Sequence, residues 1–387
     1  PGLLAEVIQS KVLDLPKPKI TIAEKIVQAP PPTVSITSPR QGQSFTQRQI
    51  EVTVECRDNG GGIEDVRLYH NDKLVSEDTR GIKIASTDFI KSFQVSLLMG
   101  ENRLRATAFS TGRVEAAPYE IVITLKGIEA EAVSHLFVLG IDGYKNSKYN
   151  LNFAKADASS IRSIITEKSR TIFKDVQIHE LYDSEATGNN IRTTFEEVIR
   201  LSNPQDVFTF FYAGHGVMIP DADGREQFFL APTEVTSLYN EEKMNHSGIS
   251  ASQLVDYSRR ITARKQLFII DACQAGSISD AFALRGAAEE KALAQLARSA
   301  GVHVIASTGS EQFATEFKEL GHGLFTHALI QAIQGAADGS PKDGRITVRE
   351  INAYLENIIP DLSEKYKGQP QFPVIFSKGQ DFPVAVE

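Results

Sequence analysis

The chain has 387 residues, enough for two or three domains with separate cores, and its 41% hydrophobic and 23% charged content is ordinary for globular proteins. With 49 acidic against 41 basic side chains the formal charge is -8, so there is no basic surface of the kind that binds nucleic acid by displacing counterions. Two cysteines cannot form a disulfide framework, and no apolar run approaches the ~20 residues of a membrane span.

Reduced thiols and a cytoplasmic setting fit that cysteine economy, with no membrane and no nucleic acid among the expected partners. The sequence begins at Pro1 with no secretory pattern behind it, so further upstream sequence is expected. Residues 1–32 hold one amphipathic stretch, Leu3 to Leu13. Proline-punctuated segments follow, ending at Pro30, Pro31 and Pro32, which read as an extended linker.

From Thr33 to about Gly127 the pattern becomes period-2 alternation. Ile50, Val52, Val54 and Cys56 face one way and Glu51, Thr53 and Glu55 the other, with turns at Gly60 to Gly62 and Asn71-Asp72. The spacing predicts a small β-sandwich over 33–127, with Cys56 a buried core thiol that carries no chemistry.

Residues 128–387 alternate strands and helices, the pattern of an α/β domain on a largely parallel sheet. His135 to Ile141 is its first strand. Ala154, Ala158, Ile161 and Ile165 then recur at helical spacing, with Asp157 in the early turns. The apolar run Val207 to Tyr212 suits a strand covered on both faces and ends at Ala213-Gly214-His215-Gly216. Residues 217–250 read as loop-rich. Leu267 to Ile270 is another buried strand, ending at Asp271-Ala272-Cys273, and Val302 to Ala306 repeats the theme.

His215 and Cys273 are therefore expected just past the carboxyl ends of two strands, where parallel sheets bind ligands. The glycines beside His215 remove bulk where a substrate would approach. Asp271-Ala272-Cys273-Gln274-Ala275-Gly276 reads as a small-residue turn that exposes a nucleophile. The histidine precedes the cysteine by roughly 60 residues, against the ~50 of caspases.

Three motifs carry a resemblance to the caspase and metacaspase clan of cysteine peptidases: Tyr212-Ala213-Gly214-His215-Gly216, Asp271 to Gly276, and Gly323-Leu324-Phe325-Thr326-His327-Ala328-Leu329. The match runs from about Val133 to Phe376 and looks most like the bacterial metacaspase, or orthocaspase, type. Ile36-Thr37-Ser38-Pro39 with Ser44-Phe45, and the Asp58 to Ile63 stretch, resemble bacterial immunoglobulin-like domains. The fold class this implies is a caspase-like αβα sandwich behind an all-β immunoglobulin-like sandwich.

The resemblance implies a catalytic dyad of His215 and Cys273 that passes through an acyl-enzyme, with the backbone N–H groups of Gly216 and Cys273 as oxyanion hole. Asp271, two residues before the cysteine, would oppose thiolate formation unless a cation neutralises it. In metacaspases the matching aspartate and one on the helix after the first strand bind the basic residue preceding the cleaved bond. Asp157 matches the second, so arginine is expected over lysine for its bidentate fit.

The partners implied are a protein or peptide with a basic residue at that position, and a protein bound through the β-sandwich. By position, residues 276–301 resemble the linker that caspases cut during maturation, and Arg285, Lys291 and Arg298 are candidate self-cleavage sites there, Arg285-Gly286 being the most accessible. A helix from Ala287 to Ala297 is the alternative. No metal or other cofactor is required for the chemistry. Calcium-dependent relatives carry an acidic cluster that Asp221, Asp223 and Glu226 reproduce in part. Ala213 stands where the family often has serine. An inactive scaffold, or a peptidase of another specificity, remains the alternative reading; an aspartate-specific pocket would need arginines in place of Asp157 and Asp271.

Overall fold

The computed structural model describes residues 26–75, 88–127, 131–220, 226–274, 282–307, 316–317, 321–339 and 341–387. The amphipathic Leu3 to Leu13 stretch, Asp221, Asp223, and the Ala275-Gly276 end of the cysteine motif lie outside the described residues.

The alternating segments form the expected sandwich. One sheet has the order β1 (Thr33–Ser38), β3 (Gln49–Arg57), β6 (Asp88–Ser96). The other runs β2 (Ser44–Phe45), β8 (Tyr119–Leu125), β7 (Gly100–Phe109), β4 (Asp65–His70), β5 (Lys73–Leu74). Val52, Val54 and Cys56 of β3 are fully buried against Leu68, Leu97, Leu104 and Ile123, so period-2 alternation does place one face of the strand in the core. Burial, reinforced by the nearby Glu55 charge, pushes the Cys56 thiol up to about 12, which makes it inert at neutral pH.

The second half is an α/β unit. Its main sheet has the order β10 (Asp175–Tyr182), β9 (Val133–Gly140), β11 (Val207–Pro220), β14 (Lys265–Gln274), β15 (His303–Ala306), β19 (Val374–Ser377). Every pairing along that path is parallel except the last, where β19 closes the edge antiparallel to β15. Side chains of α2 (Gly188–Leu201), α4 (Ala251–Arg260) and α5 (Phe282–Ala300) share one core cluster. Those of α1 (Ala154–Ser169), α6 (Leu324–Gln331) and α7 (Val348–Lys367) share the other, giving helices on both faces. Among the described residues no helix is long and apolar enough to cross a membrane.

Three segments differ from their sequence reading. β11 does not stop at Tyr212: it continues to Pro220 because β12 (Glu226–Leu230) pairs antiparallel with Gly216 to Pro220, so His215 sits inside the strand and not beyond it. β14 likewise carries through Cys273 to Gln274. Within residues 217–250, β12, the short helix α3 (Glu241–Ser247) and β13 (Ile249–Ser250) take the place of much of the expected loop.

Residues 276–301, read by position as a maturation linker, hold α5 instead. The alanines and leucines there favour helix, and Leu293, Leu296 and Ala297 bury one side of it. Arg285, Lys291 and Arg298 are all helical. Two small antiparallel ladders complete the description: β16 (Glu316–Phe317) with β17 (His322–Gly323), and β18 (Arg345–Thr347) with β20 (Pro383–Val386).

The two halves touch through the turn between β4 and β5. Asn71 and Asp72 take the left-handed conformation of a tight hairpin, as their sequence predicts. The next residue, Lys73, is 1% exposed, and its Nζ donates to the carbonyls of Ile261 and Ala263 just past the end of α4. These are carbonyls left open at the C-terminal end of the helix, which an amine donor can satisfy.

Candidate active site

Three parallel strands bring the candidate residues together by register alone. Gly140 of β9, Ala213 of β11 and Asp271 of β14 lie side by side. Two residues further on, His215 is the direct Cα partner of Cys273, and strands so paired run about 4.8 Å apart.

The glycines flanking His215 are demanded by packing. A methyl group at Gly214 would stand 2.6 Å from the Tyr212 hydroxyl and 2.9 Å from that of Tyr144; one at Gly216 would meet the Phe228 ring at 2.8 Å. The two tyrosines hold the His215 backbone. His215 N–H donates to Tyr144 Oη at 3.0 Å, and Tyr212 Oη donates to the His215 carbonyl at 2.8 Å.

The His215 side chain, on a residue only 5% exposed, lies against Tyr144 with ring centres 5.0 Å apart. Its Nε2 lies 2.7 Å from the carbonyl oxygen of Tyr149. A carbonyl can only accept, so Nε2 carries the proton and Nδ1 is the basic nitrogen of the neutral ring. This orienting group is a main-chain oxygen on the β9–α1 loop, and no side-chain pattern in the sequence could announce it.

That loop is tied down at several points. Asp183 Oδ1 accepts from the N–H groups of Asp142 and Gly143, and its Oδ2 meets Lys155 Nζ at 3.0 Å. Thr233 Oγ1 donates to the Gly143 carbonyl at 2.6 Å, and Tyr144 N–H donates to Asn150 Oδ1 at 2.9 Å. Burial alone would raise the Asp183 carboxyl, but the N–H of Gly143, the Lys155 ammonium and the N–H of Asp142 hold it below its ordinary value.

Beside the His215–Cys273 register pair lies an acidic pair. Asp157, in the first turn of α1, is 4% exposed, buried and not solvated. The helix can approach because β9 carries glycine: a Cβ on Gly140 would be 2.6 Å from the Ala154 carbonyl. A methyl group at Gly323 would lie 3.2 Å from Asp157 Oδ2 and 3.5 Å from Asp271 Oδ2, so both carboxylates converge on one point.

Donors from the β17–α6 segment fill the space. His322 Nδ1 is 2.8 Å from Asp157 Oδ1, Gly323 N–H donates to both Asp157 oxygens at 3.3 and 3.2 Å, and Thr326 Oγ1 donates to Asp271 Oδ2 at 2.8 Å. The Gly323 to Leu329 motif thus has a local task, which the sequence reading did not give it. Burial pushes the Asp157 carboxyl up to about 7; the His322 hydrogen bond opposes this and the Asp271 charge adds to it.

Glu226 opens β12 with its side chain exposed. Among the described residues no group of three histidine, cysteine or acidic side chains is placed to hold a metal ion.

A family model described as the caspase domain matches residues 134–381, spanning the parallel sheet, the paired His215 and Cys273 and the acidic pair. The chain belongs to the caspase-domain peptidase family. Its α/β half is therefore a caspase-like cysteine peptidase domain, and a bacterial Ig-domain model matches residues 32–88 of the sandwich before it.

No curated protein matches the chain. Among solved structures, GSU0716 from Geobacter sulfurreducens aligns at 15% identity over 66% of this chain and 97% of its own, with a TM-score of 0.44. The fibronectin(III)-like modules of Clostridium thermocellum CbhA align at 15% identity over 24% of this chain and 97% of their own, with a TM-score of 0.20. CopC from Methylosinus trichosporium aligns at 18% identity over 26% and 99%, with a TM-score of 0.19.

Proposed function

We propose that this caspase domain is an endopeptidase that cleaves after basic residues, arginine before lysine, with Cys273 as nucleophile and His215 as base. The observation that carries the reading is the convergence of the Asp157 and Asp271 carboxylates in the strand row next to the His215 and Cys273 register pair. Two acids crowded in a largely buried site repel each other, and a bound guanidinium relieves that cost with two parallel hydrogen bonds.

In the acylation step His215 Nδ1 takes the thiol proton, a bond forms from the Cys273 sulfur to the scissile carbonyl carbon, and the amide C–N bond breaks as the imidazolium returns the proton to the leaving amine. Water, deprotonated by the same histidine, then hydrolyses the thioester. The backbone N–H groups of Gly216 and Cys273, on adjacent strands, are the proposed donors to the oxyanion. Asp271 lies two residues from the nucleophile and disfavours the thiolate until a substrate cation neutralises the pocket, which links recognition to activation.

Self-processing at Arg285, Lys291 or Arg298 belongs to the same reading, with a condition attached. Peptidases of this kind act on extended chain, so α5 has to open locally before any of the three can be cut. Equal intact masses for the wild type and Cys273→Ala would remove self-processing from the proposal.

The deciding experiment compares arginyl, lysyl and aspartyl peptides on purified protein and on Cys273→Ala. Arginyl cleavage should dominate and vanish in the variant. Dominant aspartyl cleavage, or arginyl cleavage that survives the substitution, overturns the assignment.

A further inference from the structure

We infer that His322 is an internal occupant of the acidic pocket, standing where the substrate's basic side chain binds until a peptide displaces it. This rests on reading Asp157 and Asp271 as the primary specificity pocket.

The donors that the β17–α6 segment offers the carboxylates differ in what they can do. The Gly323 N–H is main chain, fixed at the start of α6, and Thr326 lies within that helix. The Gly323 N–H cannot withdraw without moving the helix, and the Thr326 side chain is fully buried, so packing hinders its rotation. His322 reaches Asp157 through a side chain, and its own side chain is 23% exposed where that of Asp157 is 5% exposed. The imidazole thus forms the solvent side of the contact, and it can leave by rotation about its side-chain bonds.

Geometry makes that departure a requirement for arginine. A carboxylate accepts a guanidinium with both oxygens, and Asp157 Oδ1 already accepts from His322 at 2.8 Å and from Gly323. Gly323 lets the ligand in: any side chain there would fill the point on which Asp157 and Asp271 converge. His322 lies next to that opening, on a two-residue strand paired with β16.

An occupant of this kind sets a threshold for substrates. Each basic residue has to outcompete one charge-assisted hydrogen bond before it contributes affinity. Arginine, with five donors in a planar fork, replaces the lost contact and adds a second. Lysine brings three donors at one point and gains less. His322 therefore weakens the binding of both by the same factor, the cost of vacating the pocket, and leaves the arginine preference to the carboxylates themselves.

The test is steady-state cleavage of matched arginyl and lysyl peptides by wild type, His322→Ala and His322→Gln. With the occupant removed, KM for the arginyl peptide should fall about five- to tenfold in His322→Ala while kcat holds, as expected for losing one competing hydrogen bond. KM for the lysyl peptide should fall by the same factor, so the arginine preference stays as it was. His322→Gln, whose amide can still donate to Asp157, should lie between the two.

A second readout avoids turnover. In Cys273→Ala protein the His322 imidazole resonances should shift on adding an arginyl peptide and stay unmoved with an aspartyl one. Wild-type cleavage after arginine combined with an unchanged or raised KM in His322→Ala, or with unmoved His322 resonances, overturns the occupant while the specificity assignment stands. If the wild type cleaves neither basic peptide, the specificity assignment itself falls and takes this inference with it.

Discussion

The carbonyl oxygen of Tyr149 lies 2.7 Å from Nε2 of His215, which makes a main-chain group the orienter of the proposed base. Asp183 secures the loop that carries it through two backbone N–H groups. Asp183→Ala should therefore lower kcat by roughly 10- to 100-fold, the effect of displacing a reacting group by about 1 Å, with KM for an arginyl peptide nearly unchanged. Steady-state kinetics with that peptide give the answer.

Asp157 should impose a pH dependence on recognition. Only its ionised form attracts a basic side chain, and because burial raises its carboxyl to about 7, kcat/KM for arginyl peptides should rise with pH up to and through that value. Asp157→Asn should weaken the substrate throughout and remove this limb of the profile. The folded-state value is raised, so between about pH 4 and 7 the native state holds a proton that the unfolded chain releases. The group's contribution to stability therefore falls as pH rises through that window.

Gly214→Ala should damage activity and stability together. The added methyl meets the Tyr212 and Tyr144 hydroxyls at 2.6 and 2.9 Å, and these are the groups that hold the His215 backbone. Overpacking of this kind costs about 1–3 kcal/mol, and a kcat loss of at least about tenfold is expected from the shift of His215. Thermal melts beside kinetics separate the two effects.

Lys73 predicts an unusual stability profile. Burial, with the Arg264 charge second, holds its ammonium well below the ordinary value. Over the range from that lowered value up to about 10.4 the unfolded chain binds the extra proton, so stability should rise with pH. Gln266 Nε2 also donates to the Ile261 and Ala263 carbonyls, at 3.2 and 2.9 Å, so Lys73→Met leaves neither oxygen bare. The variant should melt higher than wild type at pH 7, and the gap should close toward pH 10. Calorimetry at both ends checks this.

The sequence exposed the parts of the fold that depend on periodicity. Alternation along Ile50 to Cys56 announced the sandwich, and the apolar run Val207 to Tyr212 announced a covered parallel strand. His215 was harder to place because glycines ordinarily signal turns. Here Gly214 and Gly216 sit in a continuing strand, empty of side chains because tyrosine hydroxyls and the Phe228 ring crowd them.

Tyr149 acts through its backbone and leaves no mark on composition. His322 stands on a strand too short to show a period, and Lys73 reads as a solvated hairpin residue until the opposing surface is known. Each of these depends on contacts distant in sequence, which local patterns do not encode.

Gly301, just after α5, has a positive φ of 69°, and a Cβ there would lie 1.7 Å from the Asp72 carbonyl of the sandwich. A side chain at that position would wedge the sandwich away from the α/β half, and cutting the chain between them would strip a desolvated seam down to open water. The recombinant fragment that the family boundaries invite would thus start with a raw face beside the helix that follows β14. Measurements made on it would describe a perturbed domain.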